Sequence, residues 1–161
     1  MPSLKYCQMK SQETPVKILH ELIDILHDRI DEYQKALQKL TTGNHLDLKA
    51  IFGEMIRESV EYEQELQDNL ARMDGSERDI EQEHAGAVYQ VWARAKPSIR
   101  GGDSKAILST CEREIHAVRT AYEKALASGD GMDDLMRQKV SRQMEDIRDR
   151  EERVREYHEA L

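Results

Sequence analysis

The sequence predicts an all-α protein: a four-helix bundle with one long crossover that carries a short extra helix between helices 2 and 3. Three observations point there. Apolar residues recur in steps of three and four over four long stretches, the signature of amphipathic helices. Only 8 Gly and 3 Pro occur in 161 residues, too little turn chemistry for a sandwich or barrel of many short strands. The chain is 35% charged, 39% hydrophobic and 5% aromatic, a helical composition. This length suits one domain burying roughly 68–70% of its unfolded surface. We assign residues 14–161 to that domain and residues 1–13 to a flexible leader.

Thr14-Pro15 is a helix start, a cap followed by proline at the first helical position. Val16, Leu19, Ile23, Leu26, Ile30, Tyr33, Leu37 and Leu40 then alternate steps of 3 and 4 without a break, until Gly43-Asn44 stops the helix. A second helix is predicted from about Asp47 to Met73, with Leu48, Phe52, Met55, Ser59, Tyr62, Leu66 and Asn69 inward and Asp74-Gly75 as its stop. The third runs from about Asp103 to Ser128, with Leu108, Cys111, Ile115, Val118, Tyr122 and Ala125 inward, and ends at Gly129-Asp130-Gly131. The last starts near Met132, with Met136, Val140, Gln143, Ile147, Arg150, Val154 and Tyr157 in phase. Each spans about 39 Å at 1.5 Å per residue, and short turns within each pair imply two antiparallel hairpins.

Residues 74–102 link the hairpins, too many for a tight turn, and include the amphipathic stretch Ala85, Val88, Tyr89, Val91, Trp92 and Ala95. Such a connection carries the chain back along the bundle, so helices 2 and 3 run parallel in the one-crossover topology of ferritin-like folds. The hairpins also look like copies. Tyr33-x-Lys35-Ala36-Leu37 matches Tyr122-x-Lys124-Ala125-Leu126, and Asp47-Leu48 matches Asp134-Leu135, at offsets of 89 and 87. Near its start the first helix is apolar on a second face, Ile18, Leu22 and Ile25, which either the crossover or a second subunit must cover.

A net charge of −8 excludes nucleic acid as a main partner, because phosphate binding needs a basic face. No stretch approaches the ~18 apolar residues of a membrane span, and no signal-peptide run opens the chain. With Cys7 in the leader and Cys111 on a helix, a disulfide is not expected, so a cytoplasmic location is.

A one-crossover bundle invites di-iron chemistry, which needs a Glu from each of two helices and a Glu-x-x-His pair from each of the other two. The inward positions at the corresponding level are Leu26, Ile115, Ser59, Tyr62, Ile147 and Arg150, none of them a carboxylate or histidine. The one Glu-x-x-His, Glu81/His84, falls in the crossover. A ladder of His20, Asp24, His27 and Asp31, at spacings 4, 3 and 4, is a surface candidate for Zn²⁺ or Ni²⁺. No phosphate loop, nucleophile elbow, Cys-x-x-Cys or His-Glu-x-x-His occurs, and Cys111 on an apolar stripe reads as a small hydrophobe. No catalytic residue and no cofactor is expected. The inward polar residues Ser59, Tyr62 and Arg150 are expected to form a hydrogen-bonded core network, a candidate small-ligand site.

Leu22-Ile23-Asp24-Ile25 with Asp28-Arg29-Ile30, Asp47-Leu48-Lys49-Ala50-Ile51-Phe52, Trp92 before a Gly-Asp break, Ile107-Leu108-x-x-Cys111-Glu112-Arg113 and Ala121-Tyr122-Glu123-x-Ala125-Leu126 resemble, in order and spacing, a bacterial family of unknown function with a ferritin-like four-helix bundle. The resemblance spans residues 15–160. It implies the ferritin-like fold, no established activity and no catalytic residues to transfer. The expectation is therefore a non-enzymatic bundle acting through protein contacts or self-association, as a homo-oligomer (dimer) or with a protein partner. The alternative is a metal-binding oxidase or storage protein of di-iron or di-manganese type with non-standard ligands.

Overall fold

Thr14 opens the first helix as its sequence predicts. Its side chain accepts the Lys17 N–H at 3.1 Å, and Pro15 takes the position where a missing N–H costs nothing. The computed structural model describes residues 14–40, 45–73, 80–128 and 131–161. These form α1 (Pro15–Lys39), α2 (Leu46–Arg72), α3 (Ile80–His84), α4 (Ala87–Ala95), α5 (Ser104–Ser128) and α6 (Asp134–Glu159). Asp103 and Asp133 cap rather than extend the last two, their carboxylates accepting the N–H of Ala106 and of Met136, each at 2.8 Å. The leader 1–13 with Cys7, and the stops Gly43-Asn44, Asp74-Gly75 and Gly129-Asp130, lie outside the described residues. Among the described residues no helix is long and apolar enough to cross a membrane.

Side-chain pairings fix the directions of the long helices. Arg29 meets Ser59 while Tyr33 meets Phe52, so α1 and α2 are antiparallel. Glu112 meets His158 while Tyr122 meets Gln143, so α5 and α6 are antiparallel too. Arg29 also bonds to Glu114, and Tyr33 lies against Cys111. The order 52 to 59 on α2 therefore runs the same way as 111 to 114 on α5, and those two helices are parallel. Gly131 comes so near Pro15 that a Cβ there would meet its ring at 3.2 Å, which starts α6 at the same end as α1. This is the single-crossover connectivity. Leu19, Leu26, Leu48, Met55, Leu66, Leu108, Ile115, Val118, Met136, Val140 and Ile147 are buried along the axis, each stabilising by roughly 1.5–3 kcal/mol relative to exposure.

The crossover covers the second apolar face of α1. Ile18, Leu22 and Ile25 are fully buried, with α3 and α4 packed on α1 and α4 also on α5. Val88 and Trp92, one turn apart, are buried. Of the two coverings left open by the sequence, the crossover is the one observed. A ladder of carboxylates on α1, at spacings 3, 4 and 4, straps it down. Glu21 accepts the Tyr89 N–H at 3.0 Å, Asp24 faces His84 at 3.3 Å, Asp28 accepts the Tyr89 hydroxyl at 2.7 Å, and Glu32 accepts the Ile99 N–H at 2.9 Å. The cap residue of α4 is Gly86, which has no side chain to offer. Glu21 therefore caps that N-terminus from another helix, with its charge at the positive end of the dipole.

Two outcomes follow. Glu21→Ala leaves the half-buried Tyr89 N–H at the α4 terminus without its acceptor, a loss of about 0.5–2 kcal/mol as for other helix caps, or about 2–4 °C in Tm per kcal/mol at this size. Trp92 emission should shift to the red, and an unchanged Tm and spectrum would show that apolar contacts alone hold the crossover. On the opposite side, burial alone would raise the carboxyl of Glu151, yet hydrogen bonds from Arg119 and His116 hold it below the ordinary range. A lowered carboxyl contributes stability that is full above its unfolded value of about 4.3 and is lost as pH falls through the lower folded value. Urea midpoints should thus fall more steeply with acidification in the parent protein than in Glu151→Gln.

Candidate functional site

The centre of the bundle holds a charged pair. Arg29 is 1% exposed and Glu114 is fully buried. The Arg29 Nε donates to both Glu114 oxygens, at 3.1 and 3.0 Å, and its Nη1 donates to the Ser59 hydroxyl at 3.2 Å. The Tyr33 hydroxyl donates to Glu114 at 2.5 Å and lies 3.4 Å from the Cys111 sulfur. The Tyr33 ring packs edge-on to Phe52 with centroids 5.0 Å apart. Burial pushes the Glu114 carboxyl up, and the Arg29 charge and the Tyr33 hydroxyl pull it back. Burial also pushes the Cys111 thiol up to about 12, which leaves it a thiol and a poor nucleophile at neutral pH. Sequence reasoning missed the pair because both residues are charged. The signal is phase: Arg29 continues Ile18, Leu22 and Ile25 at spacings 4, 3 and 4, and Glu114 lies seven residues from Ile107 and from Ala121.

The expected network of Ser59, Tyr62 and Arg150 divides in two. Ser59 bonds inward to Arg29. Tyr62 and Arg150 instead reach an outer cleft between α2 and α6, of about 170 Å³. No hydrogen bond among the described residues joins Ser59 to either of them. The reason for Arg150 is its length: the stem is buried, and the guanidinium extends to Glu54 at 3.0 Å and to Glu58, as long cationic side chains do at the edge of a core. Glu61, Asp146, Asp149 and Arg153 complete the cleft. Deeper in, the Tyr122 hydroxyl donates to Gln143 at 2.7 Å, and the Gln143 amide donates to the Tyr62 carbonyl at 3.2 Å. That chain knits α5, α6 and α2 together.

The ladder expected on the surface starts inside the protein, His20 being 5% exposed under the crossover, and it does not converge as a metal site. His20 faces Glu83 at 3.9 Å, Asp24 faces His84, His27 faces Glu63 at 3.8 Å, and Asp31 pairs with Lys35 at 3.1 Å. Each member turns to a different neighbour. Among the described residues no three His, Cys, Asp or Glu side chains group so as to hold a metal ion. The di-iron positions Leu26, Ser59, Tyr62, Ile115, Ile147 and Arg150 are all buried, as their phase predicts. These residues do not fit a metal pair, because the Arg29 guanidinium stands at the level of Ser59 and its charge opposes dications there.

Glu114→Gln strands the Arg29 charge in the core and should cost about 3–5 kcal/mol, whereas Arg29→Met with Glu114→Leu should be near neutral or more stable by about 1–4 kcal/mol. Denaturant titration of both variants checks this. A double variant as unstable as the single one would show that the apolar pair cannot repack the site.

No characterised protein and no solved structure matches the chain. Residues 14–128, which hold α1 to α5, match the family described as Domain of unknown function (DUF2383). With most of its length so matched, the chain belongs to that family.

Proposed function

We propose that this chain is a non-enzymatic helical bundle that acts through protein contacts, self-association included, in the cytoplasm. One observation carries the reading: the inward polar side chains are bonded to one another. Arg29 donates through Nε to Glu114 and through Nη1 to Ser59, Tyr33 donates to Glu114, and Tyr122 donates to Gln143. Catalysis needs a nucleophile or base converging with an acceptor on a space that a substrate can enter, and these groups are committed elsewhere. What is free to make contacts is the outside. Val60 is 49% exposed on α2, one turn after the half-buried Ile56, and Leu46 and Leu135 are exposed at the starts of α2 and α6. The metal-dependent alternative is not favoured by any arrangement of side chains described above.

Sedimentation equilibrium of the untagged chain tests the proposal. A reversible dimer is expected, shifted towards monomer by Val60→Glu with folding stability unchanged within about 0.5 kcal/mol. A monomer at every concentration, or two iron or manganese ions per chain by elemental analysis, overturns it.

A further inference from the structure

The Arg29 guanidinium keeps one unmet donor group in the centre of the bundle. Its Nε donates to both Glu114 oxygens and its Nη1 to the Ser59 hydroxyl. Nη2 meets no acceptor among the described residues, although Arg29 is 1% exposed and that atom is shut off from solvent. A guanidinium is planar and rigid, so the bonds through Nε and Nη1 also fix where the two Nη2 hydrogens point. A charged donor left bare in a core is among the costlier defects a protein can carry. Native interiors pair such groups with protein atoms or with ordered water.

Ser59 supplies the second observation. It is 1% exposed and its oxygen accepts from Arg29, while its own O–H makes no hydrogen bond among the described residues. Thr110 and Thr120, by contrast, turn their hydroxyls back onto the carbonyls of Ala106 and His116. The Ser59 oxygen lies 3.2 Å from Nη1, which shares its carbon with Nη2, so a single acceptor is within reach of both donors. Burial pushes the Tyr62 and Tyr122 phenols up and the Arg29 charge pulls them back. Two phenol oxygens therefore stand in the field of the same guanidinium.

Donor count and charge select what binds there. The site offers N–H and O–H groups, so its ligand must accept. Glu114 already balances Arg29, and an anion would bring an unmatched charge into the core. A neutral acceptor is left, and helices packed at interior density admit only a small one.

We propose that the core of this protein binds one water molecule, its oxygen accepting from Arg29 Nη2 and from the Ser59 hydroxyl. Buried waters make about three hydrogen bonds and are costly to remove. The phenol oxygens of Tyr62 and Tyr122 are the candidate acceptors for the water's own hydrogens. Bound in this way, the water completes the hydrogen bonding of Arg29 and ties α1 to α2 a second time, beside the Nη1 bond. It is a structural ligand, independent of any contact made by the outer faces.

A high-resolution crystal structure of the full chain tests the site, together with magnetic relaxation dispersion of the water oxygen in solution. Expected is one well-ordered water about 2.7–3.2 Å from Nη2. The dispersion should count one long-lived water fewer in Arg29→Met with Glu114→Leu, which removes the donor and its counter-charge together. Ser59→Ala, which keeps the ion pair, should shorten the residence time of that water several-fold, and it decides the matter in solution where the double variant does not fold. Nη2 bonded directly to Glu114 or to a backbone carbonyl in the crystal would overturn the proposal. So would an anomalous peak at Nη2 from crystals grown in bromide, or a dispersion unchanged in the variants.

Discussion

A guanidinium buried at the centre of a bundle must find its counter-charge and hydrogen bonds inside the protein, and Arg29 finds them on two other helices. Glu114 on α5 takes its Nε donor and Ser59 on α2 its Nη1 donor, while Tyr33, one turn along α1, donates to the same carboxylate. Sliding α1 or α5 by one turn would leave a charge unpaired in the core, which is far more costly than a displaced leucine, and sliding α2 would take the Ser59 hydroxyl away from Arg29. Apolar stripes of Leu, Ile and Val tolerate such slips much better. The pair thus acts as a register pin for α1, α2 and α5, a use of buried polarity well known from coiled coils. The fourth helix is tied by other means: Gln143 between Tyr122 and the Tyr62 carbonyl, and two end contacts, Arg72 with Asp133 and Tyr157 with Asp47.

The crossover depends on the same helix. α1 has two buried faces, one along the bundle axis and one under α3 and α4, and its carboxylates Glu21, Asp24, Asp28 and Glu32 border the second. The strap is therefore polar at its edge and apolar beneath, with Val88 and Trp92 inserted. A nine-residue helix such as α4 is too short to be stable alone in water, so its docking on α1 and α5 accounts for its existence.

The helices were legible because each signal there is local: the cap at Thr14, stops at glycines, and a period of three and four between them. The crossover topology followed from its length, and the buried phase of Leu26, Ser59 and Ile115 from the stripes. What stayed hidden depends on partners distant in sequence. Arg29 and Glu114 are 85 residues apart, and each taken alone resembles one of the solvated charges that cover the outer faces. Arg150 misleads in the opposite sense, because its Cα is in phase with the core while its head reaches the rim to meet Glu54 and Glu58. Phase locates the backbone of a long side chain, and only tertiary structure locates its charge. The cleft was invisible for the same reason, since its walls belong to α2 and α6.

The repeat in the sequence shows how a bundle of this shape can part from metal chemistry. Under the offset of 89 that aligns Tyr33 with Tyr122, Arg29 corresponds to Val118 and Glu114 to Ile25. Both of those are fully buried. The ion pair thus joins the two copies, Arg29 from the first hairpin and Glu114 from the second, and its counterparts under the repeat are two aliphatic side chains of the kind that can replace such pairs without loss. A two-metal centre needs the opposite, the same acidic and imidazole ligands repeated in both halves. The tyrosines diverge in parallel, Tyr33 donating to Glu114 across the hairpins and Tyr122 to Gln143 within one. Repetition here sets the fold's shape and spacing, while the polar layer is built once, around a cation. A centre so charged favours a structural interior over one that holds dications.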